Sequence, residues 1–79
     1  MNHPKEFELF VDGDKYEWPK PTITGAELRT LAAIPDSVEI FQHVPGKPDV
    51  QIQNSTVVDL AKHHGPVRFS TQSPGSQAG

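Results

Sequence analysis

The residue best placed to do chemistry is the last one. Gly79 closes an eight-residue run, Gln72-Ser-Pro-Gly-Ser-Gln-Ala-Gly79, which holds no large apolar side chain and follows a segment, Pro66 to Thr71, that reads as a β-strand. Such a run cannot offset its ordering entropy by burial, and small polar termini are where disorder concentrates. Extended, it reaches roughly 26 Å at about 3.3 Å per residue, enough to thread a narrow enzyme channel while a folded body stays outside. Glycine has no Cβ, so its carboxylate can enter a slot closed to other residues. The chemistry open to this end is chemistry at the carboxylate itself, and the plain alternative is an idle, frayed terminus.

Other groups offer less. His63-His64 together with His43 invite a metal site, but no acidic or cysteine ligand stands with them at ligand-like spacing. Histidines solvated at a helix end account for them, and no metal or other cofactor is expected. Asp12, Asp14, Asp36, Asp49 and Asp59 fall in turns or at caps, where a short carboxylate satisfies backbone amides. No nucleophile can be paired with a base, nor is there a glycine-rich phosphate loop, so the chain does not read as an enzyme. The absence of cysteine removes disulfides and thiolate chemistry and agrees with a cytoplasmic location. Net charge is −3 with the basic residues scattered, so no stripe exists to track a phosphate backbone. No apolar run is long enough to cross a membrane, and Met1-Asn-His-Pro-Lys5 lacks the apolar stretch of a secretion signal.

The elements that must carry the terminal glycine follow from periodicity. Alternation over Lys5 to Val11 puts Phe7, Leu9 and Val11 on one face of a strand; the turn Asp12-Gly-Asp-Lys15 and a second run, Tyr16 to Trp18, complete a hairpin. Pro19 and Pro21 end it. Thr24 and Glu27 have capping-box spacing, which predicts a helix to about Ala33 with Leu28, Leu31 and Ala32 buried, Ile23 as a hydrophobic staple, and Glu27 and Arg29 facing water. Val38 to Val44 and Val50 to Gln53 make a second hairpin around Pro45-Gly-Lys-Pro-Asp49. Thr56 and Asp59 at capping spacing, with Gly65 as a stop, predict a short helix or single turn. The last element is the strand beginning at Val67.

Two hairpins flanking one helix predict an α+β, β-grasp domain over residues 1–71: a mixed four- to five-stranded sheet on a central helix, with 72–79 as a flexible tail. In so small a core Trp18 reads as the main packing residue. If Val38, Ile40 and Val44 face the helix, Phe41 and His43 face outward, either as a recognition patch together with Arg68 or as cover for the core's edge.

The stretch Asp12-Gly-Asp-Lys-Tyr-Glu-Trp-Pro-Lys-Pro-Thr-Ile-Thr-Gly-Ala-Glu-Leu-Arg29, with Ile34-Pro35 beyond it, resembles the bacterial multiubiquitin family of ubiquitin-like domains. The resemblance covers the chain from about Phe7 to the tail, and Trp18-Pro-Lys-Pro-x-Ile-Thr-Gly25 is its most specific part. It implies a protein modifier served by an E1-like activating enzyme, an E2-like conjugating enzyme and a JAB-type metal-dependent isopeptidase, in a setting of stress or antiphage defence. The activating enzyme, using ATP, would adenylate the Gly79 carboxylate and pass the acyl group to a cysteine thiolate for transfer to a target. Gln77 and Ala78 would lie beside it in the channel. Gly75 is the rival end if an isopeptidase first removes Ser76 to Gly79; Pro74 beside it would deny a binding groove one backbone donor. This chain ends Gln-Ala-Gly where ubiquitin ends Gly-Gly, and it holds one domain where many relatives hold tandem copies. A non-covalent β-grasp adaptor and a sulfur carrier are the alternatives.

Overall fold

A computed structural model describes residues 6–62 and 65–73. Strands β1 (Phe7–Val11) and β2 (Asp14–Trp18) pair antiparallel with Val11 opposite Asp14, which leaves Asp12 and Gly13 as a two-residue turn. Both carry positive φ, 52° and 88°, the combination whose twist matches that of the flanking strands. Alternation then turns Leu9 and Val11 into the core with Phe7 packed beside them, as the sequence predicts.

Strand β3 (Thr22–Thr24) leads into helix α1 (Gly25–Ala32). The expected capping box is formed: Thr24 Oγ1 accepts from the Glu27 amide at 3.1 Å, and Glu27 Oε1 accepts from the Thr24 amide at 2.9 Å. The Glu27 amide is thereby matched by a side chain, and the two helical amides before it, Gly25 and Ala26, are matched by the Thr56 and Asn54 carbonyls. Thr24→Ala should cost about 1 kcal/mol through loss of this cap, read as a shift of the urea midpoint without a change in slope.

Strands β4 (Glu39–His43) and β5 (Val50–Ile52) form the second hairpin, β6 (Val57–Asp59) follows, and β7 (Val67–Gln72) closes the chain. The main sheet has the order β2-β1-β7-β4-β5, so the last strand lies at its centre, parallel to β1 and antiparallel to β4. Among the described residues ten apolar side chains are buried together, including Leu9, Ile23, Leu28 and Ile40 with no exposed surface. A mixed five-stranded sheet grasping one helix is the ubiquitin-like β-grasp arrangement. Among the described residues no helix is long and apolar enough to cross a membrane.

Three expectations are corrected. Over the predicted short helix, residues 57–59 form β6, which pairs antiparallel with β3 so that Ile23 lies opposite Val58. Two consecutive β-branched valines favour the strand, and the Asp59 carboxylate accepts from the Ala61 and Lys62 amides as a turn rather than a helix cap. His63 and His64 lie outside the described residues. Ile23, the residue before the cap, is fully buried in the same core cluster as Leu28, the pair a hydrophobic staple joins, and it lies opposite Val58 in the small sheet. Arg29 does not face water: its side chain is 14% exposed, with Nε donating to Asn54 Oδ1 at 2.8 Å and Nη1 to the Pro35 carbonyl. Its apolar stem covers the helix while the guanidinium ties two loops to it. Trp18 is half-buried at the rim of the core, where its indole N–H donates to the Thr22 carbonyl at 2.9 Å and closes the Pro19–Pro21 loop.

Candidate functional site

The outer face of the main sheet is assembled by strand alternation. With Leu9, Ile40, Val67 and Phe69 turned inward, the intervening positions Phe10, Phe41, His43, Arg68 and Ser70 turn outward. Register places Arg68 beside both Phe10 on β1 and His43 on β4, and Phe41 between Ser70 on β7 and Gln51 on β5. The Arg68 guanidinium sits 4.7 Å from the centroid of the Phe10 ring, a cation–π contact that orders the arginine without neutralising it. His43 is exposed, with Nδ1 3.4 Å from Asp49 Oδ1 across the hairpin. Phe41 is half-buried and lies outside the core cluster.

One flank of this face is acidic. Lys15 lies between Glu8 and Glu17, its ammonium 3.1 Å and 3.9 Å from their carboxylates. The hydrogen bond to Glu8, then the charges of Glu8 and Glu17, raise its pKa above the ordinary lysine value. Exposed pairs of this kind contribute little to stability, and here they leave the two glutamates as a rim beside a centre of aromatic and basic groups.

The structure thus brings together Phe41, His43 and Arg68, the three surface positions singled out in the sequence. It adds Phe10, which the sequence reading passed over although alternation against Leu9 and Val11 places it on this face. On the inner side Gln42 is a buried polar residue, 9% exposed, at a position where the pattern Val38, Ile40, Val44 suggests only apolar groups.

The route to the chain end leaves from the centre of the same sheet. Strand β7 has neighbours on both sides and runs to Gln72. At its end the Thr71 amide donates to Asp12 Oδ1 at 2.9 Å and the Thr71 hydroxyl donates to Asp12 Oδ2. Gly75, Gln77, Ala78 and Gly79 lie outside the described residues. Among the described residues no three histidine, aspartate or glutamate side chains are grouped so as to hold a metal ion.

A family model described as Multiubiquitin matches residues 7–73, from the first residue of β1 to the residue after β7. No curated protein matches the chain. No solved structure matches it either. The match covers the whole strand-and-helix framework described above, and the chain therefore belongs to the Multiubiquitin family of ubiquitin-like domains.

Proposed function

We propose that this chain is a protein modifier of ubiquitin type, activated at the Gly79 carboxylate. A carboxylate oxygen attacks the α-phosphorus of ATP and releases pyrophosphate; a cysteine thiolate of the E1-like enzyme then attacks the acyl carbonyl and releases AMP. Passage to an E2-like cysteine and attack by an amine or hydroxyl of the target complete the transfer, and a JAB-type isopeptidase reverses it. The chemistry belongs to these partners, and the chain supplies a reactive end and a docking face. Its dependence on ATP and reduced thiols places it in the cytoplasm, in the bacterial stress or antiphage setting that the resemblance implies.

The observation that carries this reading is the family match over residues 7–73. Within that framework the strand nearest the chain's end is the central one, so pull or pressure on the terminus is resisted by two ladders of backbone hydrogen bonds. Gly79 is preferred over Gly75 because Pro74 carries no N–H for an extended-strand groove to bind. The outer face around Phe41, His43, Arg68 and Phe10 presents the aromatic and arginine groups that anchor protein interfaces.

Incubation with an E1-like enzyme from the same genome and ATP tests the proposal. A thioester-linked band that thiol reductant removes supports it. A mass gain of one sulfur would make the chain a sulfur carrier, and absence of any adduct would make it a non-covalent adaptor. Phe41→Ala should weaken binding to that enzyme by about tenfold while the melting midpoint moves by no more than a few degrees, as expected for a side chain outside the core cluster. Titration calorimetry beside a thermal melt measures both, and a large fall in melting temperature would assign Phe41 to packing.

A further inference from the structure

We infer that Asp12 is a positioning residue for the chain's carboxyl-terminal end: its carboxylate clasps Thr71 and so fixes where, and in which direction, the tail leaves the sheet. The inference rests on the modifier reading given above.

The parallel β1–β7 ladder pairs Leu9 with Val67, Phe10 with Arg68 and Val11 with Phe69. After Val11 the first strand turns away through Asp12-Gly13 into β2, and the last ladder bond it can offer is from the Asp12 amide to the Phe69 carbonyl at 3.0 Å. Thr71, two residues on, directs its amide to the same side of β7 and meets no backbone acceptor there. The Asp12 carboxylate takes that place, accepting from the Thr71 amide at 2.9 Å with Oδ1 and from the Thr71 hydroxyl with Oδ2. Both oxygens are used on one residue 59 positions away in sequence.

The turn itself does not require this carboxylate. At a position with φ 52° the conformational demand is met by asparagine or glycine as well as by aspartate. What the carboxylate adds is one more rung, made of charge-assisted bonds, at the point where β7 would otherwise fray from one side. Ser73, just beyond the strand, borders a groove of about 280 Å³ formed with Tyr16, Ala32, Ile34, Pro35 and Val38. With Thr71 held, Ser73 stands at a fixed place beside that groove. An enzyme that docks the sheet's outer face and receives the terminus in a channel then captures a tail whose origin is fixed, which raises the effective concentration of the carboxylate in the channel.

Two substitutions separate positioning from folding. Asp12→Gly keeps the positive φ and removes both bonds; Asp12→Asn keeps the φ, retains an acceptor for the Thr71 amide, and can donate to the hydroxyl oxygen. In ATP-dependent charging by the E1-like enzyme, Asp12→Gly should lower kcat about tenfold with KM within about twofold of wild type, because docking is intact and the tail must be ordered anew. Asp12→Asn should restore kcat to within about twofold. Equal kcat for wild type and Asp12→Gly would overturn the inference, as would a rise in KM alone, which signals loss of folded protein.

A partner-free measurement distinguishes this from failure of the modifier reading. The chain has no cysteine, so a nitroxide on Ser73→Cys is the sole label. It should broaden the amide resonances of Ala32, Ala33 and Ile34 selectively in the wild-type background and with Asp12→Asn, and lose that selectivity with Asp12→Gly. Unchanged selectivity with Asp12→Gly would sink the clasp whatever the enzyme does. Failure of the wild-type chain to be charged, with the label behaving as expected, would overturn the modifier reading and the positioning role that rests on it while leaving the clasp as a fact of the fold.

Discussion

Gly25→Ala is expected to destabilise the domain by about 3–5 kcal/mol, a large part of what a domain of this size has to lose. At an unremarkable helical position the same change stabilises by up to about 1 kcal/mol, so here the sign itself is diagnostic. A Cβ built on Gly25 stands 2.0 Å from the Gln53 carbonyl oxygen and 2.7 Å from its carbon. These are backbone atoms, and no rotamer change relieves the overlap. The start of α1 must instead part from the β5–β6 connection, which breaks the bonds from the Gly25 amide to the Thr56 carbonyl and from the Ala26 amide to the Asn54 carbonyl. It also pulls on β3, whose Ile23 is fully buried opposite Val58. Urea denaturation measures the effect. A variant as stable as wild type would show that the helix and this connection do not touch as described.

Gly25 ends the block Trp18-Pro-Lys-Pro-Thr-Ile-Thr-Gly25, on which the family resemblance chiefly rests, and four of its residues have a structural task. Trp18 closes the proline loop through Thr22, Ile23 fills the core, Thr24 caps the helix and Gly25 admits the neighbouring backbone. The block identifies the fold without itself being a reactive site. That explains why a sequence with so little visible chemistry is still legible as a ubiquitin-like domain: the signal lies in how the helix is launched.

Legibility followed distance along the chain. The two hairpins and the helix are written in local alternation and in a capping box spanning four residues, and these are readable. Strands β3 and β6 hold three residues each, too few for a period of two to stand out, and Thr56 with Asp59 satisfies a helix-cap spacing equally well as a turn. Arg29 finds Asn54, and Asp12 finds Thr71, across 25 and 59 residues, contacts that only the assembled topology creates. The outer face stands between these cases. Phe41 and His43 followed from alternation within β4, whereas their junction with Phe10 through Arg68 needed β7 to be known as the central strand.

Removing Gly79 should abolish ATP-dependent thioester formation, by at least about a hundredfold, without moving the melting midpoint. The loss follows from geometry at the reacting atom. Deleting one extended residue withdraws the carboxylate by roughly 3.3–3.6 Å, whereas a reacting pair must be held about 3–3.5 Å apart and a misplacement of about 1 Å is enough to cost two orders of magnitude. The new terminal residue, Ala78, also brings a Cβ to a slot that a glycine enters freely. Stability should not change, because the deletion lies beyond β7, which ends at Gln72, and beyond every buried apolar side chain of the core. Gel assays of the thioester with intact-mass detection give the first readout and a thermal melt the second. The same experiment decides between the two glycines. If Gly75 is the true end, a protease must first remove Ser76 to Gly79; the chain shortened to Gly75 would be charged, and deletion of Gly79 would leave charging in the presence of that protease untouched. Charging of the full chain alone, lost with its last residue, assigns the acyl chemistry to Gly79, because nothing else about the folded body distinguishes the two proteins.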